Sequence, residues 1–256
     1  MSQPIQYLPG IAIEIILIGQ IGGGVGVMII EASNAVPEHR SLADRFGWRW
    51  RKGIYTYSWR YGLRRTLAEE VEAPKAKIPL HVRPFEPEDE DALFGHRHTG
   101  ADPADLTEIN YRLEHLDADI PTPYVAIDKN TGTPCYLQWL MGAEQNSKIQ
   151  ARPWGFPVLA QNEAVLENAY TPPAYRGQHV MAAAMYLIAE QARKLDADYA
   201  MTFVSEDNIP SLKGCKRAGF DIYLVHQRRD YGFGLYCHND FTVLKGGDPR
   251  LSLLAS

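Results

Sequence analysis

The sequence predicts a compact α/β domain from Leu80 to the C-terminus, preceded by an extension of different character. Downstream of Leu80, patterns typical of strands and helices succeed each other in the order β-α-α-β-β-β-α-β-α-β-β. The hydrophobic content of 45% and the charged content of 22% supply enough apolar side chains for a core. Upstream, an apolar stretch and a basic-aromatic stretch break this pattern. We therefore divide the chain into residues 1–36, 37–79 and 80–256.

Charge and cysteine usage narrow the classes of function. The formal net charge of −5 gives no reason to expect a nucleic-acid partner. The three cysteines, Cys135, Cys215 and Cys237, lie far apart and form no Cys-x-x-Cys pair. Such spacing is typical neither of a disulfide framework nor of a zinc ribbon. We expect a reducing compartment, the cytoplasm, and no metal.

The apolar segment of residues 11–30 carries one charge, Glu14, and is about long enough to cross a bilayer as a helix. If it does, the eight basic residues against one acidic residue between Arg40 and Arg65 place the downstream chain in the cytoplasm. Glu14 and five glycines disfavour such a helix, and the glycines lack the spacing of a dinucleotide-binding loop. A membrane-associated segment and a packed or poorly ordered extension both stay open.

Residues 40–71 alternate basic side chains with aromatic ones. This mixture suits a membrane surface that carries anionic lipid, and it also suits stacking on single-stranded nucleic acid. A basic helix that docks on the domain through its aromatic side chains is the alternative. We predict a helical region, succeeded over residues 72–79 by a linker with two prolines and no periodicity. The aromatic residues are Phe46, Trp48, Trp50, Tyr55, Tyr57, Trp59 and Tyr61.

The elements of the domain are predicted from their local patterns. Acidic residues favour a helix start because they interact with the helix dipole, and the turn at residues 130–132 between two apolar runs predicts a hairpin. The predicted elements are a strand at 80–85, a helix from Glu86, a helix at 104–116, the hairpin at 123–142, a strand at 163–171, a helix at 178–195, a strand at 197–205, a helix at 208–219 and two strands within 221–244.

The stretch YTPPAYRGQHVM, residues 170–181, joins a predicted strand to a predicted helix. A pyrophosphate needs several backbone N–H donors at a helix N-terminus, where the dipole also favours negative charge. Residues 178–182 can supply these donors, and Arg176 either contacts the phosphate or fixes the loop. Pro172 and Pro173 remove two N–H groups, which ends strand pairing and helps to splay this strand from its neighbour.

Three stretches together resemble the GCN5-related N-acetyltransferase (GNAT) superfamily over residues 80–244. The first, VRPFEPEDEDALF, is similar to the family's opening strand and helix. The second, YTPPAYRGQHVMAAAM, is similar to the family's acyl-CoA segment V-x-P-x-x-R-G-x-G-x-G/A, and the third, NIPSLKGCKRAGF, to its helix N-x-x-[AS]-x-x-x-Y-x-x-x-G-F. The matching residues are Thr171, Pro173, Arg176 and Gly177 in the second stretch and Asn208, Ser211, Gly219 and Phe220 in the third.

The resemblance implies a mixed, mostly antiparallel central sheet flanked by helices, with acetyl-CoA as co-substrate and no metal. It also implies that the pantetheine arm enters the gap beside the splayed strand, where an N–H near Thr171 polarises the thioester carbonyl. Asn208 is a helix N-cap by default, and the resemblance adds a contact to the pantetheine arm or the substrate side. The implied cofactor-binding residues are Tyr170, Thr171, Arg176, Gly177, Gln178, His179, Val180, Met181, Ala182, Asn208 and Ser211.

Three positions depart from the family's pattern. His179 and Met181 stand where the family has glycines. Helical backbone angles need no glycine, so we expect the N–H donors to remain if both side chains point away. Cys215 stands where many members have a tyrosine that protonates the leaving thiolate. A catalytic thiol that donates this proton and a buried, inert cysteine both stay open.

Transfer to an amine needs a base that deprotonates the ammonium group before attack. Glu167, on the strand beside the thioester, is the predicted catalytic base, and Glu163 on the same face is the second candidate. His96 and His98 have a metal-like spacing, but no carboxylate or cysteine supports it, so we predict a pair of loop histidines.

The stretch of residues 145–163 is longer than a hairpin requires and carries Trp154 and Phe156. It is either a lid with an aromatic wall over the acceptor pocket or a packed surface loop.

These expectations combine into an acyl-CoA-dependent N-acyltransferase that moves acetyl from acetyl-CoA to a primary amine by direct attack. One alternative is a non-catalytic acyl-CoA-binding or scaffold domain. Another is a membrane-tethered enzyme that acts on a lipid-linked or surface-polymer amine, with residues 11–65 on the membrane surface. The predicted partners are acetyl-CoA and an amine acceptor that the sequence does not identify, with no nucleic acid, and a homodimer stays open.

Overall fold

The computed structural model describes residues 15–16, 29–32, 53–98, 100–117, 120, 123–152 and 155–254. The strands are β1 (Ile15–Ile16), β2 (Ile29–Ala32), β3 (Tyr55–Thr66), β4 (Leu80–Pro84), β5 (Pro123–Asp128), β6 (Pro134–Gly142), β7 (Glu163–Tyr170), β8 (Tyr199–Ser205), β9 (Asp221–Tyr231) and β10 (Tyr236–Val243). The helices are α1 (Asp89–Phe94), α2 (Pro103–Asp117), α3 (Asn146–Gln150), α4 (Val180–Gln191) and α5 (Ile209–Arg217). Every element predicted downstream of Leu80 is therefore present.

The chain forms two compact units. The larger unit contains Arg60–Gln150, Phe156–Val225 and Thr242–Ser256, and the smaller one contains Met1–Trp59, Ala151–Gly155 and His226–Phe241. All the predicted catalytic and cofactor-binding residues belong to the larger unit.

The sheet of the larger unit has the strand order β9-β3-β8-β7-β6-β5-β4. Neighbouring strands from β4 to β7 pair antiparallel, as do β3 and β8, whereas β7 and β8 pair parallel. The predicted hairpin joins β5 to β6, and Gly132 in its turn has a φ of 74°, which a glycine adopts without strain. The mixed, mostly antiparallel sheet flanked by helices confirms the predicted fold class.

Strands β7 and β8 separate after a short paired stretch. Their register runs only from Glu163, opposite Tyr199, to Val165, opposite Met201. Beyond that point β7 stays on β6, with a register shift opposite Leu137–Trp139, and Asn168 there has a φ of 60°. Such an irregularity bends a strand and ends its regular pairing. The parallel strands therefore open into a gap in the middle of the sheet.

Strand β3 corrects one prediction. Residues 37–79 were predicted to be helical with a linker, but Tyr55–Thr66 is a strand that pairs antiparallel with β8, from Arg60 opposite Ser205 to Thr66 opposite Tyr199. The physical reason lies in the period of the pattern, because the aromatic residues from Tyr55 to Tyr61 recur at every second position, which is the strand period. The extension thus contributes a strand between β8 and β9.

The core of the larger unit lies between the sheet and its helices. Helix α4 packs on β4 and β6, and α1 packs on β6. Small side chains on α4, including the buried Ala183, Ala184 and Ala189, let the helix approach the sheet closely. The largest buried apolar side chains on the sheet and around it are Trp139, Tyr136, Phe94 and Phe220.

In the smaller unit, β1 pairs antiparallel with β2, and β2 pairs with β10. Of the predicted membrane segment 11–30, the structure describes only Ile15–Ile16 and residues 29–30, as strands; the rest lies outside the described residues, as do residues 40–52 of the basic-aromatic stretch. Across the described part of the chain, no helix has the length and apolar character to cross a membrane. The membrane segment therefore stays a prediction.

Candidate active site

The predicted phosphate loop lies between the splayed strand and a helix. Strand β7 ends at Tyr170, a short 3-10 turn spans Pro173–Tyr175, and α4 begins at Val180. The N–H groups in the first turn of α4 have no acceptor within the helix. They form a region of positive potential at the helix N-terminus, which is a suitable environment for a phosphate group.

The backbone at His179 differs from the expectation. His179 has φ 59° and ψ 20°, a left-handed conformation at the N-cap of α4, so the expectation that helical angles remove the need for glycine is wrong at this position. A non-glycine residue there costs roughly 1–2 kcal/mol. The His179 side chain is exposed, whereas Met181 packs against α5, with its sulfur 3.0 Å from where a Cβ on Gly214 would lie. The loop thus keeps a glycine-like backbone without the glycine.

Arg176 fixes the loop from within. Its Nε donates to the carbonyl of Thr171 at 3.0 Å, and its Nη2 forms an ion pair with Asp105 on α2. Gln178 donates to the carbonyl of Ala174 at 3.0 Å. Of the two roles that the sequence left open for Arg176, these contacts favour the structural one, since they join the guanidinium group to the loop and to its support.

Asp105 is the centre of a buried polar cluster that sequence reasoning missed. Besides Arg176, its carboxylate contacts His96 Nε2 at 2.7 Å and accepts from the Tyr170 hydroxyl at 3.3 Å. Burial raises the pKa of Asp105, but the hydrogen bonds from His96, Arg176 and Tyr170 and the charge of Arg176 outweigh it and hold the pKa below its usual range. No sequence pattern links these residues, because they meet only in the folded chain.

A second arginine holds the same end of β7. Arg112, on α2, donates from Nη2 to the carbonyl of Ala169 at 2.8 Å and from Nη1 to the carbonyl of Glu108 at 2.8 Å. The carbonyls of Ala169 and Thr171 thus both receive a guanidinium donor. The strand end that borders the gap is positioned by side chains of α2 and of the loop, where sheet pairing with β8 has ended.

Glu167 lies where β7 and β8 separate. Its Oε1 accepts from the backbone N–H of Phe203 on β8 at 2.9 Å, so the carboxylate reaches across the gap. Burial raises the pKa of Glu167 to about 7, although the charge of Arg60 and the N–H groups of Phe203 and Asn168 act in the opposite direction. A carboxyl group with a pKa near the working pH is well matched to general base catalysis.

Two aromatic residues interact with this carboxyl group, Phe203 through its backbone N–H and Tyr111 through the negative charge of Glu167. The rings of Phe156 and Phe203 lie 5.6 Å apart. Tyr111, on α2, has its pKa raised to about 12 by burial of the hydroxyl and by the negative charge of Glu167. Of the predicted lid, Phe156 lies in this cluster, while Trp154 falls outside the described residues. The segment that carries Phe156 is tied down, since Asn146 and Leu159 exchange two hydrogen bonds of 2.9 Å.

The helix α5 carries the third motif of the sequence. Asn208 is its N-cap and accepts from the N–H of Ser211 at 3.2 Å, as its default role predicts. Cys215 is 1% exposed, and its sulfur lies 3.8 Å from that of Met185. Burial raises the pKa of Cys215 to about 12. This environment favours packing over proton transfer, and the catalytic role of Cys215 stays a prediction.

The remaining candidates have structural partners. Glu163 accepts from the N–H of Ala160 at 2.9 Å at the start of β7. His96 contacts Asp105, which sequence reasoning did not foresee. Within the described ranges, no group of three or more His, Cys, Asp and Glu side chains has the arrangement of a metal site.

The splayed parallel strands, the helix start after them and the carboxyl group in the gap form the arrangement that the sequence resemblance to the GNAT superfamily implies. Residues 106–220 match the model of the acetyltransferase (GNAT) family. No curated protein sequence matches the chain.

Solved structures that resemble the chain do so at low identity. A fungal multi-domain β-N-acetylglucosaminidase with a GCN5-related glucosamine N-acetyltransferase region is 11% identical over 79% of this chain, which spans 24% of that protein, with a TM-score of 0.47. A GNAT acetyltransferase from Colwellia psychrerythraea is 9% identical over 88% of this chain and 84% of its own, with a TM-score of 0.43. A GCN5-related N-acetyltransferase from Sphaerobacter thermophilus is 13% identical over 82% and 59%, with a TM-score of 0.41.

Proposed function

We propose that the protein is an acyl-CoA-dependent N-acyltransferase that transfers acetyl from acetyl-CoA to a primary amine by direct attack. The observation that supports this most is the Glu167 carboxyl group, which has a pKa of about 7 and bridges the gap between β7 and β8. A base at that position and a phosphate-compatible helix start on the same strand–loop–helix segment are the two components that the reaction needs.

The residues of the loop suit acetyl-CoA as a co-substrate. The N–H groups of Val180, Met181 and Ala182, at the start of α4, have no helical acceptors and can donate to the pyrophosphate. The pantetheine arm would lie along the gap beside β7, next to Tyr170 and Thr171. The residues proposed to shape the site are, in the loop, Arg176, Gly177, Gln178 and His179 and, at its far side, Asn208 and Ser211.

The chemical step balances as an acyl exchange. The Glu167 carboxylate takes a proton from the substrate ammonium, and the free amine nitrogen attacks the thioester carbonyl carbon. The C–N bond forms as the C–S bond breaks, and the CoA thiolate leaves and takes up a proton. The backbone N–H groups near Thr171 are suited to stabilise the negative charge on the carbonyl oxygen.

The direct test mixes the purified full chain with acetyl-CoA and a panel of primary amines, and monitors release of the CoA thiol. We expect release that depends on the amine and on Glu167. Binding of acetyl-CoA without turnover of any amine would instead support the non-catalytic acyl-CoA-binding alternative. Release at one rate with every amine and with none would show hydrolysis and contradict transfer.

Cytoplasmic location and contact with a membrane surface remain part of the proposal. The test compares the full chain with a chain that begins at Gly53, which keeps β3, in a sedimentation assay with anionic vesicles. Equal partition of both proteins would contradict the membrane role of the N-terminal residues. A chain that begins at Pro79 is unsuitable, because it lacks β3 and opens the sheet between β8 and β9.

A further inference from the structure

Asn168, the residue directly after the proposed base, combines two unfavourable features. Its φ of 60° lies in the left-handed region, which is uncommon for residues other than glycine. Its side-chain Oδ1 and Nδ2 are both buried and have no hydrogen-bond partner among the described residues, although a buried amide normally has one. Such features persist only where the surrounding structure maintains them, and they are concentrated at functional sites.

The strand pairing shows where the left-handed residue lies. Between the pairs Trp139–Glu167 and Leu137–Tyr170, β7 has two residues and β6 has one. This arrangement is a β-bulge, which bends the strand that carries the extra residue. The register of β7 with β8 has already ended before this point. Asn168 is therefore opposite no residue in the described register of either neighbouring strand.

Two backbone N–H groups hold the Glu167 carboxylate, one from each strand that borders the gap. Oε1 accepts from the N–H of Phe203 on β8 at 2.9 Å, and the N–H of Asn168 on β7 is the second donor. Rotation about the φ of Asn168 sets the direction of this N–H relative to Tyr170, which β6 holds in register. The left-handed conformation thus contributes to where the carboxylate lies.

Other charged and titratable groups act on Glu167 from the elements around it. Burial raises the pKa of Glu167, and the positive charge of Arg60 on β3 lowers it. Burial and the negative charge of Glu167 raise the pKa values of three neighbours, so these neighbours are uncharged near neutral pH. They are Tyr111 on α2, Tyr136 on β6 and Cys215 on α5. A substitution of Asn168 removes none of these groups.

We propose that Asn168 is a positioning residue for the base, and that its left-handed backbone, rather than its side-chain amide, directs its N–H to the Glu167 carboxylate. The inference rests on the proposed function, because that function makes Glu167 the base. Asparagine suits the position, since it is one of the few residues besides glycine that adopt a positive φ readily. The role needs the backbone of asparagine and not its polar side-chain atoms, which have no partner among the described residues.

Two substitutions separate the backbone from the side chain. Asn168→Gly removes the amide but adopts the positive φ without strain. Asn168→Val also removes the amide, but a β-branched residue strongly disfavours a positive φ. The measurement is an NMR titration of the Glu167 carboxyl group in the full chain, labelled with isotope at the glutamate carboxyl carbon. Glu167→Gln identifies the signal, and the titration needs no acceptor.

We expect Asn168→Gly to titrate like the wild type, near a pKa of about 7, and Asn168→Val to titrate about one to two pH units higher. The reason is that an N–H donor favours the charged carboxylate, so its loss raises the pKa. At pH 7 the kcat/KM for the amine should fall about tenfold in Asn168→Val and stay within about twofold in Asn168→Gly.

Asp196→Val is the matched control. Asp196 also has a left-handed backbone, with a φ of 55°, but it lies at the end of the 3-10 turn that follows α4. We expect this variant to leave the titration of Glu167 unchanged, which separates the position of Asn168 from the general cost of a β-branched residue at positive φ.

The outcomes separate this inference from the proposed function. Asn168→Val that titrates like the wild type would overturn the inference. If that variant does not fold, Asn168→Ala replaces it, because its Cβ also disfavours a positive φ, and an unshifted titration there overturns the inference as well. Loss of acetylation in Asn168→Gly with an unchanged titration would overturn it in favour of the side-chain amide. If the titrations are as expected but the wild type acetylates no amine, the proposed function fails and the placement of the carboxylate by Asn168 is supported.

Discussion

Glu167 and Asp105 are two carboxyl groups in the larger unit, and their environments shift their pKa values in opposite directions. Asp105 accepts hydrogen bonds from Arg176, His96 and Tyr170, and its pKa is lowered. Glu167 accepts from the backbone of Phe203, and its pKa is raised to about 7. Burial acts on both groups, so the donors decide the difference. One carboxyl group is a fixed anion that supports the loop, and the other can exchange its proton near neutral pH.

The largest expected effect is that of replacing Glu167, the carboxyl group that can exchange its proton. Glu167→Gln keeps the size of the side chain and an oxygen acceptor for Phe203 but cannot take a proton. We expect kcat to fall by about 10²- to 10⁴-fold, the usual contribution of a general base. The measurement is the rate of CoA release at saturating acetyl-CoA. Glu163→Gln is the matched control on the same strand, and a loss of equal size there would transfer the role of base to Glu163.

The pH dependence of the reaction rate tests whether Glu167 is the base. Because Glu167 must be unprotonated to accept a proton, we expect kcat/KM for the amine to rise with pH and to level off above about 7. Below that value the rate should fall about tenfold per pH unit. A profile that levels off near pH 4.5, the ordinary pKa of a glutamate, would mean that the carboxyl group is solvated and would contradict the assignment.

The same raised pKa affects the free energy of unfolding. Between about pH 4.5, the ordinary value, and about 7, the folded form binds more protons at Glu167 than the unfolded form. The contribution of Glu167 to the free energy of unfolding is therefore fully present below about pH 4.5 and is lost as the pH rises through about 7. We expect Glu167→Gln to remove this dependence, which amounts to about 3 kcal/mol. The measurement is a pair of denaturant titrations, one below and one above this window.

Asp105→Asn tests whether Asp105 supports the loop. Loss of the charge leaves Arg176 and His96 without their anionic partner, so we expect about a tenfold rise in the KM for acetyl-CoA and a loss of about 1–3 kcal/mol in stability. The kcat at saturation should change little, unlike in Glu167→Gln. Asp102→Asn is the control, because Asp102 is exposed and accepts from the N–H of Ala104 on the surface. A fall in kcat with unchanged KM would contradict the division of roles.

His179→Gly tests the loop that Asp105 supports. A glycine adopts the φ of 59° without strain, so we expect a gain of about 0.5–1 kcal/mol after the greater flexibility of the unfolded chain is counted. Gly177→Ala has the opposite expectation, since Gly177 has a φ of 75°. Denaturant titrations of both variants measure the difference. A loss of stability in His179→Gly would show that the histidine side chain stabilises the loop.

Cys215→Ala has the smallest expected effect on activity. The buried thiol has a pKa of about 12, and a group this far from neutral and without access to solvent is a poor proton donor. We expect kcat to change by less than about twofold near neutral pH. A loss of a hundredfold with an unchanged melting temperature would instead establish Cys215 as the catalytic acid.

The sequence predicts those features that depend on local patterns. The hairpin at Gly132, the N-cap at Asn208 and the strand–loop–helix segment around Arg176 are all determined by residues close together in the chain. The Asp105 cluster is different, because its members come from residues 96 to 176 and no period connects them. Strand β3 was missed for another reason: its period of two was present, but the basic composition suggested a surface helix.

The position of β3 also affects how the protein is made. Its residues leave the ribosome before those of both neighbouring strands, because Arg60 pairs with Ser205 on β8, and β9 on its other side is synthesised later still. A strand with two unpaired edges must wait for its neighbours, and such segments are prone to aggregate during synthesis. Contacts between distant parts of a chain also slow folding. Expression of this protein should therefore benefit from low temperature and from chaperones that bind exposed strands.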